Sequence, residues 1–189
     1  MTDLSSKLET KDAEISKLQK TCNDLEQYSR RNCVRVFGIP EQKGEDTSAS
    51  VCKLAKEKLG IDLQKSQIDR SHRVREASSE EASERSEGQG HSNRAGKPSE
   101  RKPRQIIVKF VSYQTKKAVI SARRKLKSTG ISIFEDLTKS NRELLTVTRK
   151  HKKVISAWTS DGRVVALLQA TGGKTITRGI RNENDLLTL

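Results

Sequence analysis

The first 29 residues contain no glycine or proline and place Leu4, Leu8, Ile15, Leu18, Cys22 and Leu25 on one repeating stripe, with spacings of three and four once Lys11 is included. Only a helix satisfies that pattern. Leu8, Ile15 and Cys22 take the a positions of a heptad, and Leu4, Lys11, Leu18 and Leu25 take the d positions. About three heptads is marginal for a coil standing alone. The expectation is therefore self-association through Leu4, Leu8, Ile15, Leu18, Cys22 and Leu25, with a single amphipathic helix docked on its own domain as the alternative. The helix runs without a linker through Arg30 and Arg31 into NCVRVFGIP.

After this coil, residues 1–29, the hydrophobic period switches between two and 3.6. Asn32 to Ile39 reads as a strand closed by Gly38 and Pro40, Thr47 to Leu59 as an amphipathic helix stopped by Gly60, and Gln67 to Val74 as a charged edge strand. Gln105 to Val111 is a second apolar strand. It leads to a helix from about Tyr113 to Lys127 and a strand from Ile131 to Asp136. Residues 76–103 hold no Val, Ile, Leu or aromatic residue and are rich in Ser, Glu and Gly, so a disordered insertion is expected there. The order βαβ followed by βαβ is the split arrangement of a ferredoxin-like, RNA-recognition-type domain over residues 30–136. The fold class expected is α+β: a coiled-coil helix, this βαββαβ domain, and a small α+β C-terminal domain at 137–189.

The C-terminal domain should begin with a helix capped by Thr138 or Ser140 and running to about Lys153. A hairpin turning over Ser160, Asp161 and Gly162 follows, then a strand from Lys174 to Ile180 and a short helix from about Asn182.

Charge narrows the possible partners. Lys and Arg number 38 against 24 Asp and Glu, a net charge of +14, and the excess lies after residue 30 and mostly after residue 104. A polyanion is the natural counterpart. No stretch approaches the roughly 18 apolar residues of a membrane span, and the N-terminus lacks the apolar core of a signal peptide, so the chain reads as intracellular. Three cysteines without CxxC spacing and three isolated histidines give neither a disulfide framework nor a zinc knuckle. TGGKT at 171–175 resembles the end of a nucleotide-binding loop, but GxxxxGK[ST] needs glycine where Leu168 stands. With no paired carboxylates, nucleophile–histidine set or metal cluster in view, no catalysis, cofactor or small-molecule substrate is expected.

Alternation assigns the sheet faces. Val34, Val36, Ile106, Val108 and Phe110 should face the helices, leaving Arg35, Phe37, Gln105, Ile107 and Lys109 on the open face. Arg35, Gln105 and Ile107 occupy sites where RNA-recognition sheets stack bases on aromatics. Phe37 and Phe134 either supply a substitute stacking pair or pack against the C-terminal segment.

The run LEQYSRRNCVRVFGIPE, followed by DRSHRV, PRQIIVKF, ARRKL and FEDLTKSNRELL, resembles the ORF1-encoded nucleic-acid-binding protein of LINE retrotransposons, the transposase-22 type family, along essentially the whole chain. The coil is shorter and the 76–103 insertion longer than in that family, as in a short or truncated copy. The resemblance implies a trimeric coiled coil, binding of single-stranded RNA and also DNA, chaperone activity, and a ribonucleoprotein that is cytoplasmic and also nuclear. It places basic contacts at Arg31 and Arg35, Arg70 and Arg73, Arg104, and Arg123 and Arg124. It adds Arg149, Trp158 and Arg163 from the C-terminal domain, on a shared basic cleft. Trp158 would stack on a base or fill the core of its hairpin, and each arginine alone is equally readable as a solvated charge. A protein of another class fits the same residues: a coiled-coil interaction scaffold whose charge serves no specific binding.

Overall fold

The computed structural model describes residues 2–74, 103–169 and 173–188. Apart from Pro103, the insertion expected to be disordered lies outside them, as does the start of TGGKT. The chain is mixed α+β, with a long N-terminal helix and antiparallel sheets, and divides into two compact units: residues 33–134, and residues 1–32 together with 135–189.

The unit 33–134 contains β1 (Cys33–Phe37), α2 (Thr47–Leu54), β2 (Ile68–Arg73), β3 (Ile106–Phe110), α3 (Tyr113–Ala122) and β4 (Ser132–Glu135). Its sheet runs in the order β2-β3-β1-β4. Asp46 caps α2 by accepting from the Ala49 N–H, and Ser112 caps α3 by accepting from the Thr115 N–H. Helix α2 widens into a π-helical turn over Ala55–Leu59 that ends at left-handed Gly60. The β-branched and aromatic residues of β1 and β3 alternate as expected. Val34, Val36, Ile106, Val108 and Phe110 are buried against Val51, Leu54, Leu59, Val119 and Leu126 from the helical layer. Each such side chain contributes about 1.5–3 kcal/mol on leaving water. Gly38 ends β1 at φ +86°, and a Cβ there would run into the carbonyl oxygen of Gly130, so only glycine closes this strand beside the turn that precedes β4.

The second unit contains α1 (Thr2–Ser29), α4 (Lys139–Lys150), β5 (Val154–Ser160), β6 (Arg163–Gln169), β7 (Thr175–Ile180) and α5 (Asn184–Leu187). Strands β5, β6 and β7 form an antiparallel sheet in that order. Asp161 and Gly162 both have positive φ, 52° and 76°, as a two-residue hairpin turn of matching twist requires. Leu144 and Leu145 of α4 pack with Ala157, Val164, Ala166, Leu168, Ile180 and Leu186.

Helix α1 docks on this unit, but not through its apolar stripe. Leu4, Leu8, Ile15, Leu18 and Leu25 are exposed, from 50% at Ile15 to 78% at Leu4, and Cys22 is exposed as well. The docked face carries Asn23, Gln27 and Arg30 instead, spaced for one side of a helix. Gln27 is 8% exposed. Its Nε2 donates to the Asp136 carbonyl at 3.0 Å, and its Oε1 accepts from the Thr138 N–H at 3.0 Å and from Asn141 Nδ2 at 3.1 Å. Thr138 Oγ1 donates to Asn23 Oδ1 at 2.7 Å while capping α4 through the Asn141 N–H. Arg30 links Asp136 at 3.2 Å and Glu26 at 2.6 Å. The hairpin turn closes the arrangement: the Glu135 carboxylate accepts from the N–H groups of Asp161 and Gly162 at 3.0 and 3.1 Å. Asn141 Nδ2 also donates to the Gly162 carbonyl, at 2.9 Å. A Cβ on Gly162 would lie 2.6 Å from Gln27 Nε2.

Gln27→Ala strands a buried N–H and a buried carbonyl, so it should destabilise this unit by about 2–3 kcal/mol. Urea unfolding followed by Trp158 fluorescence measures it. Leu25→Ser, on the exposed stripe, should shift the same transition in dilute protein by less than about 0.5 kcal/mol.

Candidate nucleic-acid interface

In the unit 33–134 the helices cover one sheet face and leave the other open. Cross-strand partners share a face. Arg35 opposes Ile107, and Ile107 opposes His72, while Arg70 opposes Lys109. Arg70 and His72 are exposed, and Arg35, Ile107 and Lys109 are half-buried. At the β1–β4 side of the face, Phe37 and Phe134 meet edge to face, with ring centroids 5.8 Å apart and planes at 74°. They are 36% and 50% exposed. One face therefore carries cations, a histidine and a partly exposed aromatic pair.

Lys109 reaches Asp69 at 2.8 Å. The hydrogen bond and the opposite charge lower the Asp69 carboxyl below its ordinary value and raise Lys109. The Lys109 and Asp69 side chains are 44% and 50% exposed, so the pair contributes little.

Arg73 does not join this surface. Ser71 and Arg73 oppose Val108 and Ile106, which are core residues, so they lie on the covered face. The Arg73 side chain is 6% exposed. Its Nε and Nη2 donate to the two carboxylate oxygens of Glu45 at 2.7 and 2.8 Å. Nη1 donates to the carbonyls of Ile39 and Arg104, and Nη2 to that of Pro40. Assignment of Arg73 to phosphate binding is corrected accordingly. It is the clamp that ties the β1–α2 connection to the start of β3. The three-residue spacing of Arg70 and Arg73 carried that signal, because residues an odd number apart face opposite ways on a strand. The partner that Arg70 does have on the open face is His72, which composition and motif reading passed over.

Arg104 is itself paired, its Nε donating to Glu41 Oε2 at 2.9 Å and its backbone N–H to Oε1 at 2.5 Å. These two bonds hold the Glu41 carboxyl below its ordinary value. Arg123 and Arg124 continue from α3 in a 3-10 turn, Arg123 half-buried and Arg124 exposed.

The remaining predicted contacts belong to the other unit. Arg31, in the turn after α1, lies over the Tyr28 ring at 5.1 Å and donates to its hydroxyl at 3.0 Å. Arg149, in the last turn of α4, donates to the Ala157 carbonyl at 3.2 Å. Trp158 opposes Val165, on the sheet face away from the buried Ala157, Val164, Ala166 and Leu168. It is half-buried, and core filling is not its role. Arg163 is exposed and, two residues before Val165, shares that outer face.

The Arg73 hydrogen bonds hold the Glu45 carboxyl below its ordinary value of 4.5. The pair's stabilisation is therefore full above that value and lost as pH falls through the lower folded value. Arg73→Ala should cost about 3 kcal/mol at neutral pH, with the difference from the unsubstituted chain shrinking progressively as pH falls below 4.5, in parallel urea titrations. No protein-family model matches the chain, and no curated protein matches it.

Proposed function

We propose that this chain is a non-enzymatic, sequence-tolerant protein for binding single-stranded nucleic acid, RNA in the first place and DNA as well. On this reading it belongs to a LINE-type retrotransposon ribonucleoprotein, cytoplasmic with access to the nucleus, and acts as a nucleic-acid chaperone. One observation carries the reading. The open sheet face carries Arg35, Arg70 and Lys109 and, further along β1 at its border with β4, the partly exposed Phe37–Phe134 pair. Phosphates would be neutralised by the cations, and an unpaired base would stack on an aromatic ring without being read for sequence.

The strand order β2-β3-β1-β4, with helices between β1 and β2 and between β3 and β4, supports a ferredoxin-like, RNA-recognition-type domain. Such sheets offer their uncovered face to single strands. The net charge of +14 supports a polyanionic partner. The exposed stripe of α1 supports self-association, which would gather several weak sites on one strand and raise apparent affinity by effective concentration. Screening of phosphate repulsion would let strands approach and exchange pairing, the basis of chaperone activity.

A protein-interaction scaffold is the second reading. It is favoured by that exposed stripe and by the engagement of Arg73 and Arg104 in internal ion pairs.

Titrating a fluorescent single-stranded RNA across a salt series separates the two. The chain should bind with a steep salt slope, and the triple variant Arg35→Ala, Arg70→Ala, Lys109→Ala should lower that slope by about 2, roughly 0.7 per phosphate contact on a single strand. Phe37→Ala with Phe134→Ala should weaken binding by about 1–3 kcal/mol while leaving the slope unchanged. Salt-insensitive or absent binding would establish the scaffold instead. In a strand-annealing assay the chain should accelerate duplex formation, and no acceleration at saturating protein would remove the chaperone claim.

A further inference from the structure

Glycine inside a strand has three usual causes: a backbone conformation closed to other residues, a neighbour packed too close for a Cβ, or a partner that must approach the backbone. Gly179, the penultimate residue of β7 and paired with Val165, has neither of the first two. Its φ lies outside the left-handed region, and a Cβ built on it meets nothing within 4 Å. The fold would accept a side chain there, and a β-branched one would suit the strand better.

The register shows what the missing side chain leaves open. Trp158 opposes Val165, and Val165 opposes Gly179, so the three form one row across β5, β6 and β7 on the face away from the core. With strands about 4.8 Å apart, the row spans about 10 Å from Trp158 to Gly179. It has an indole at one end, a half-buried valine as floor, and bare backbone at the other end. Arg163 stands two residues before Val165 on the same face. Residues 135–189 carry ten basic and six acidic side chains, so the bay lies in a cationic module.

We propose that Trp158, Val165 and Gly179 form a bay for one unpaired base of a single-stranded polynucleotide, with Gly179 keeping it open and Arg163 meeting the adjoining phosphate. The inference rests on the single-strand-binding reading above, in which contacts at Trp158 and Arg163 are already expected, and adds to it Gly179 and the row that the register builds across β5, β6 and β7. An apolar bay alone would fit any flat group. A base fits this one because the stacking ring and a phosphate-binding guanidinium share one face. Gly179 is a specificity-determining residue here: it contributes no contact and admits the ring by having no side chain.

Trp158 is the one tryptophan of the chain, so its fluorescence reports on the bay alone. The test compares the full chain with Gly179→Val, using an oligouridylate as probe and measuring thermal unfolding, RNA affinity by anisotropy, and Trp158 quenching. The expected result is an unchanged or higher Tm for the variant, about tenfold weaker RNA binding, and loss of quenching. Gly179→Ser, which adds fewer atoms, should show a smaller loss in the same direction and keeps the test decisive if valine disturbs the strand. Variants that bind and quench like the parent chain would overturn the bay, as would binding by the parent chain without any change in Trp158 emission. In both cases the sheet face of the other unit stands as the binding surface. If the parent chain binds no RNA at any salt concentration, the functional reading falls and the bay with it. Emission that responds to an added protein but not to the oligouridylate would overturn it in favour of a protein contact.

Discussion

The Asp161–Gly162 turn is held between a carboxylate and an amide. Glu135 accepts both of its N–H groups, and Gln27 fills the space that a Cβ on Gly162 would need. Three segments far apart in sequence meet there: the end of α1, the strand-to-helix connection at 135–138, and the tip of the β5–β6 hairpin. The connection and the hairpin tip bring backbone polar groups that burial would otherwise leave unpaired, and one glutamine amide from α1 satisfies three partners. A network of this kind is stabilising only when complete, because each orphaned group costs more than a typical hydrogen bond contributes. Hence the docked face of α1 is polar. Because it is polar, the leucine stripe on the same helix stays exposed.

In the unit 33–134 a single arginine has a comparable position. The Arg73 guanidinium donates to a carboxylate and to the carbonyls of Ile39, Pro40 and Arg104, drawing together the two chain segments that flank the sheet. Its planar fork suits that many acceptors, which a lysine ammonium would not match. The basic residues of this unit thus divide by the face they occupy. Arg73 builds the fold from the covered side, while Arg35, Arg70 and Lys109 stand on the opposite face of the sheet. Net charge alone does not make that distinction.

Alternation was legible in the sequence wherever one side of an element is buried. Val34 and Val36, and Ile106, Val108 and Phe110, showed the covered face of the sheet before any coordinates, and Asp161–Gly162 marked the hairpin by its turn chemistry. The heptad stripe was equally plain. The docking of α1 was not, because Asn23, Gln27 and Arg30 carry no hydrophobic period, and their partners lie more than 100 residues away. Polar contacts at long range leave no repeat to read. The direction of Arg73 is set by strand parity, a signal that a run of basic residues in β2 does not display: three positions from Arg70, it faces the core beside Ile106. Trp158 remained open between core and surface until the register paired it with Val165 rather than with a buried position.

The docking of α1 changes what self-association would accomplish. A coil joined to its domains by a loose tether would raise local concentration and leave orientation free. Here the last turns of the helix, the hairpin turn and the strand-to-helix connection are bonded into one unit, so chains assembled through the stripe would carry their β5–β6–β7 sheets in a fixed relation to the coil axis. Orientation then adds to concentration. A single strand that engages one Trp158 face would find the next at a set distance, and the ordering cost of each further contact falls because the protein side is already arranged. On the function proposed above, individually weak, sequence-blind contacts would suffice under those conditions, and exchange of any one of them would remain fast.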